Sequence, residues 1–152
     1  YPDMTPHSLL NFFGDARGLS SAYKRDRIDA VIDLCALDSV VHKPIGKLSK
    51  GFRQRVGMAQ ALLHEPDVII MDEPTAGLDP NQIAEVRTAL RKIAQEKTIL
   101  LSTHILQEVQ AMASRVILVN EGRLVYDGSV AGLDQQGRGL EAAFHSLTAA
   151  PV

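Results

Sequence analysis

The chain has 152 residues, a formal net charge of -2 and 45% hydrophobic residues, enough apolar material for one compact unit or two small subdomains. This balance gives neither a basic footprint for nucleic acid nor an acidic tail, and no apolar run approaches the roughly 20 residues of a membrane-spanning helix. The single cysteine, Cys35, excludes an internal disulfide and fits a reducing compartment.

Tyr1-Pro2-Asp3-Met4-Thr5 has no basic start and no long apolar stretch, so it does not read as a signal peptide. A start without Met, in what reads as a loop, points to a fragment or a processed product. Thr5 and Pro6 read as N-cap and first residue of a helix. Leu9, Leu10, Phe12 and Phe13 form its apolar face, and Gly14 and Gly18 mark its end. A second helix is predicted over 25–36, with Ile28, Val31, Ile32 and Cys35 at helical spacing. Pro44 and Gly46 break the stretch 40–47 into a loop. A third helix is predicted over 51–64, stopped by Glu65-Pro66. The first 64 residues thus read as all-helical.

The pattern then changes. Val68-Ile69-Ile70-Met71 is a short continuous apolar run, the mark of a strand buried on both faces. A helix is predicted over 80–95, a second buried strand over 98–102, a helix over 105–113 and a third strand over 116–119. Strand, helix, strand, helix, strand is the rhythm of a parallel, doubly wound sheet. Glu121-Gly122 turns the chain into 123–126. The tail carries Gly128, Gly132, Gly137 and Gly139 before a short helix over 140–147.

The strongest chemical element is Asp72-Glu73 at the end of the first apolar strand. Ligands of open parallel sheets collect at the carboxyl ends of the strands. Phosphoryl transfer from a nucleotide needs a carboxylate on the Mg²⁺ shell and a group that orients the attacking water. Asp72 suits the first task, directly or through water, and Glu73 suits the second as general base. A solvated acidic turn would also account for the pair. Leu48-Ser49-Lys50-Gly51-Phe52 puts a hydroxyl and backbone N–H groups at a helix start, which is an anion site; Ser49 as a plain N-cap explains the same residues. Asp79, closing Pro74-Thr75-Ala76-Gly77-Leu78-Asp79, reads as an N-cap as well. His104 directly follows the second strand. Adjacent parallel strands would bring it to the phosphate that Glu73 faces; alone it is an ordinary helix-start histidine.

In order and spacing these residues resemble the ABC ATPases, over about residues 1–128. Leu48-Ser49-Lys50-Gly51-Phe52 resembles the signature L-S-G-G-Q, Val68 to Glu73 the Walker B strand with the catalytic Glu, Ala76-Gly77-Leu78-Asp79 the D-loop, and His104 the switch histidine. Tyr1 to Thr5 is similar to the segment just beyond the Q-loop. The signature variant, with Lys50 for a Gly and Phe52 for a Gln, resembles bacterial subunits of the gliding-motility and ABC-2 exporter type. The pattern G-x-x-x-x-G-K-[ST] is absent from this sequence; in this family the adenine-stacking aromatic and the Q-loop Gln lie upstream of the position of Tyr1.

The resemblance implies an α/β fold, a partial P-loop NTPase (RecA-like) parallel sheet preceded by an ABC helical subdomain. Residues 1–64 would be the helical subdomain with the signature, 65–128 the second half of the ATPase core, and 129–152 a C-terminal extension. It implies ATP and Mg²⁺ as cofactors, Glu73 and His104 as catalytic residues, Asp72 on the metal, and Ser49, Lys50, Gly51 and Asp79 facing nucleotide. Lys50 could approach a γ-phosphate or be a solvated surface residue. The implied partners are a second ATPase subunit, packed head to tail, and integral-membrane transporter subunits at the cytoplasmic face of the membrane, with no nucleic acid. A non-transport ABC ATPase and an inactive docking module are the alternatives. The chain alone is expected to be inactive, and its strands to expose an apolar edge or face.

Overall fold

The computed structural model describes residues 1–134 and 139–148; Gly137 of the glycine-bearing tail lies outside them. The chain divides into two compact units, Tyr1–Ser102 and a second from Thr103 onward.

The first unit begins with α1 (Pro6–Ala16), capped as expected: the Thr5 hydroxyl accepts from the Ser8 amide and Pro6 takes the first turn. Gly18 at φ 71 ends it in a left-handed turn. α2 (Ser21–Leu34) starts a turn earlier than the apolar spacing predicts. That extra turn contains no buried residue. It is held instead by polar contacts, Lys24 to Asp15 at 2.5 Å and the Tyr23 hydroxyl to Glu65 at 2.5 Å. Short 3-10 turns occupy Asp38–Val40 and Ile45–Lys47 in the connection to α3 (Lys50–Leu62). Leu10, Ile28, Val31, Cys35, Leu37, Ala59 and Leu63 are buried together as the helical core. Burial pushes the Cys35 thiol up to about 12, so it stays protonated and packs as a small apolar group.

β1 (Val68–Asp72) and β2 (Thr98–Ser102) are joined by α4 (Pro80–Ile93) and pair in parallel, Asp72 opposite Ser102. The strands are where the sequence placed them, but they are not buried on both faces. Ile69 and Met71 are buried, whereas Val68 is 56% exposed, Ile70 75% and Leu100 52%. Successive strand residues point to opposite faces, so one apolar face of this two-stranded sheet is open.

In the second unit α5 (Leu106–Met112) leads to β3 (Arg115–Asn120) and β4 (Arg123–Ser129). β3 is not a third parallel strand: it pairs antiparallel with β4 in a separate two-stranded sheet. Glu121 and Gly122, both at positive φ (48° and 73°), form the two-residue turn that returns the chain at once. A loop that short can only make a hairpin, since a parallel return needs a crossover. Arg115 and Asp127 lock the hairpin with two bonds, 2.8 and 2.9 Å. α6 (Val130–Leu133), capped by Ser129, and α7 (Leu140–Thr148) follow.

Candidate functional site

The carboxylate pair sits where a parallel sheet collects ligands. Because Asp72 and Ser102 end adjacent strands in register, the Ser102 hydroxyl donates to Asp72 Oδ1. The next residue leaves the strand abruptly. Glu73 has φ 45, a left-handed conformation that costs a non-glycine residue about 1–2 kcal/mol. Its amide is held on the partner strand, donating to the Ser102 carbonyl at 3.1 Å and to Ser102 Oγ at 3.3 Å. Strain of this kind concentrates at functional sites.

The segment after Glu73 is a tight turn on buried Pro74 and Thr75. The Ala76 amide bonds Glu73 O at 3.1 Å and the Leu78 amide bonds Thr75 O at 3.2 Å; Gly77 supplies the positive φ of 67. Asp79 ends the turn as the cap of α4, one carboxylate oxygen accepting from the Asn81 and Gln82 amides at 3.0 Å each. The capping role is therefore filled.

Ser49 caps α3 by accepting from the Phe52 amide at 3.3 Å, with its side chain exposed at the helix start. Gly51 packs closely on α4: a Cβ there would lie 3.1 Å from the Gln82 side chain, which would have to give way slightly. Lys50 Nζ donates to Ala76 O at 2.5 Å, which brings the start of α3 beside the turn that follows Glu73. Five of the expected residues, Ser49, Lys50, Gly51, Glu73 and Asp79, thus belong to segments in mutual contact or one turn apart, with Asp72 beside Glu73. His104 belongs to the second unit. It is exposed, between β2 and α5, and its neighbour is fixed: the Thr103 hydroxyl donates to buried Glu108 at 2.9 Å and accepts from the Ile105 amide at 3.1 Å.

Ser102 and Arg55 were not foreseen in the first unit, nor the Thr103–Glu108 pair in the second. Ser102 could have been found by setting the two strands side by side at their carboxyl ends. Arg55 and Glu108 are charged residues on helices, where an exposed face is the ordinary expectation, and only packing shows them buried at 4% and 1% exposure.

The oxygen ligands at Asp72 and Ser102 are hard donors, which suit Mg²⁺. Among the described residues no group of three or more His, Cys, Asp or Glu side chains converges to hold a metal. Among the described residues no helix is long and apolar enough to cross a membrane.

The fold is of the α/β class, with carboxylates at a strand end and a capped helix start in the same unit. Comparison with known proteins gives the family. The family model "ABC transporter" matches residues 2–76. The ABC transporter ATP-binding protein NatA of Bacillus subtilis is 37% identical over 139 residues, 91% of this chain and 56% of NatA. The Nod factor export ATP-binding protein I of Paraburkholderia xenovorans is 37% identical over 133 residues, 87% of this chain and 44% of that protein. A solved structure of the ATP binding subunit of an ABC transporter superposes with a TM-score of 0.77 at 29% identity, covering 97% of this chain and 63% of the other. The chain belongs to the ABC transporter ATP-binding family, and its fold is part of the P-loop NTPase α/β fold of that family, with the helical segment first. It spans about half the length of the curated relatives it matches.

Proposed function

We propose that the chain is the signature-to-switch part of an ATP-binding subunit that powers an ABC transporter. The carrying observation is the pair at the end of β1: Asp72 tied to Ser102, and Glu73 swung out of the strand by its positive φ. Asp72, directly or through water, would hold Mg²⁺, which when bound would neutralise charge on the phosphate oxygens. Glu73 accepts the proton of the attacking water as general base. His104 is assigned the role of the switch histidine that holds the γ-phosphate. Ser49, Lys50, Gly51 and Asp79 form the edge that closes on nucleotide bound by a second ATPase subunit packed head to tail. Residues 1–64 act as the helical subdomain, 65–128 as the second half of the ATPase core and 129–152 as a C-terminal extension.

In this reading the whole subunit lies peripherally on the cytoplasmic face of the membrane and couples ATP hydrolysis to integral-membrane partners, with no nucleic acid involved. Export is the favoured direction, supported by the relative that carries export in its name. The chain by itself does not hydrolyse ATP, since the lysine and amide nest that cradle β- and γ-phosphates come from a G-x-x-x-x-G-K-[ST] loop.

The test is made in the whole subunit. Glu73→Gln keeps shape and hydrogen bonding but removes the proton acceptor, so single-turnover hydrolysis falls by about 10²–10⁴-fold while ATP binding survives. Asp72→Asn weakens the Mg²⁺ site and lowers nucleotide binding itself. Wild-type turnover by Glu73→Gln would remove Glu73 from its role and make His104 the residue that positions the water.

A further inference from the structure

Two residues of Leu48-Ser49-Lys50-Gly51-Phe52 depart from the L-S-G-G-Q pattern, Lys50 and Phe52. The structure gives each a partner. Lys50 Nζ reaches the Ala76 carbonyl at 2.5 Å, and a Cβ on Gly77 would lie 2.5 Å from that same nitrogen. Gly77 therefore serves both its positive φ and the room the ammonium occupies. One turn along α3, the Arg55 guanidinium lies over the Phe52 ring, 4.2 Å from its centroid. Arg55 donates to Glu85 Oε2 of α4 at 2.9 Å and to Ala36 O at 3.1 Å. Between these two points Gly51 lets the Gln82 side chain approach to where its own Cβ would be, 3.1 Å away. The start of α3 is thus fastened to residues 76–85 at three levels: Lys50 to the turn, Gly51 to Gln82, and Arg55 to Glu85.

The three fastenings differ in strength. Arg55 is itself buried and combines the ring contact with two charge-assisted bonds, one of them to exposed Glu85, so it is the firmer end. Lys50 is exposed. Its bond competes with solvent and holds the turn only modestly.

We propose that Lys50 is a positioning residue: it clamps the Pro74–Pro80 turn to the signature helix within one chain. Ser49 and Asp79 are then presented as a single edge, with Phe52, Arg55 and Glu85 as the fixed end of the clamp. The inference rests on the functional reading above for its catalytic consequence and on the contacts alone for the clamp. It gives Lys50 a partner in its own chain in place of a direct phosphate contact, and it accounts for both departures from the signature pattern by one device.

Amide hydrogen exchange on the 152-residue chain tests the clamp without nucleotide. Lys50→Met keeps the length of the side chain and removes the donor. The Ala76 and Leu78 amides should then exchange about twofold to fivefold faster, the range of an exposed charged contact, while α1 and α2 amides stay at their wild-type rates. Lys50→Arg, which can still reach the carbonyl, should restore slow exchange. Unchanged exchange at Ala76 and Leu78 in Lys50→Met would overturn the clamp, as would equal acceleration across α1 and α2. In the whole subunit a positioning role lowers kcat and leaves KM for ATP within about twofold; a raised KM with intact kcat would make Lys50 a phosphate contact and overturn the proposal. If the wild-type subunit hydrolysed no ATP, the functional reading would fail, while the exchange result would still decide the clamp.

Discussion

The helical layer and the parallel strands of the first unit treat their apolar residues differently. In the helical segment large apolar side chains are fully buried: Leu10 of α1, Val31 of α2, and Leu37 and Leu63 just beyond the ends of α2 and α3. In β1 and β2 the alternate residues Val68, Ile70 and Leu100 stand more than half exposed. The strands are the more apolar stretch in sequence and yet the more exposed, so apolar content alone does not foretell burial. The difference shows that the helical segment carries its own core, whereas one face of the strands is open. The candidate chemistry lies on the open side of this contrast, at the end of β1.

The sharpest way to break the comparison is to remove equal bulk from each region. Leu10→Ala should cost about 2–5 kcal/mol, the range for a leucine lost from a packed core. Ile70→Ala should change stability within about 1 kcal/mol, as exposed substitutions do. Urea denaturation of both variants checks this, and equal losses would mean that the β1 face is covered after all. The same face should make two copies associate, because an exposed apolar sheet face invites pairing. Sedimentation velocity should show a concentration-dependent dimer in the wild type and a monomer in Ile70→Lys. A wild-type chain that stays monomeric at every concentration would contradict the open-face reading.

A smaller effect tests the closed side. The Tyr23 hydroxyl bond and, less strongly, the Arg27 guanidinium hold the Glu65 carboxyl below its usual range. A depressed carboxyl contributes stability that is present above its unfolded value of about 4.3 and lost as pH falls through the folded value. Acid titration of the unfolding midpoint should therefore show a decline below about pH 4 that Glu65→Gln makes shallower. An unchanged slope would show that the Tyr23–Glu65–Arg27 contact at the base of α3 does not hold in solution.

Much of this was legible in the residues. Thr5-Pro6, Ser49 and Asp79-Pro80 announced three helix starts, because capping is local chemistry that no distant contact overrides. Asp72-Glu73 at the end of an apolar run announced a strand-end site. Two things were not legible. The run Val68 to Met71 is equally apolar at every position, so it gives no sign of which face is covered. The fate of β3 was decided by Glu121-Gly122, two residues whose positive φ dictates a hairpin, against the rhythm of the preceding elements. The partners of Lys50 and Arg55 depend on how α3 crosses the turn at 76–79, which no local pattern encodes.

The central claim is that this chain supplies the water-activating and signature groups of an ATP site, while the grip on the phosphates comes from elsewhere in the subunit. Titration calorimetry with Mg-ATP on the 152-residue chain tests it most directly. The account predicts no heat of binding at micromolar protein and nucleotide, whereas the whole subunit binds under the same conditions. Micromolar affinity in the 152-residue chain alone would contradict it.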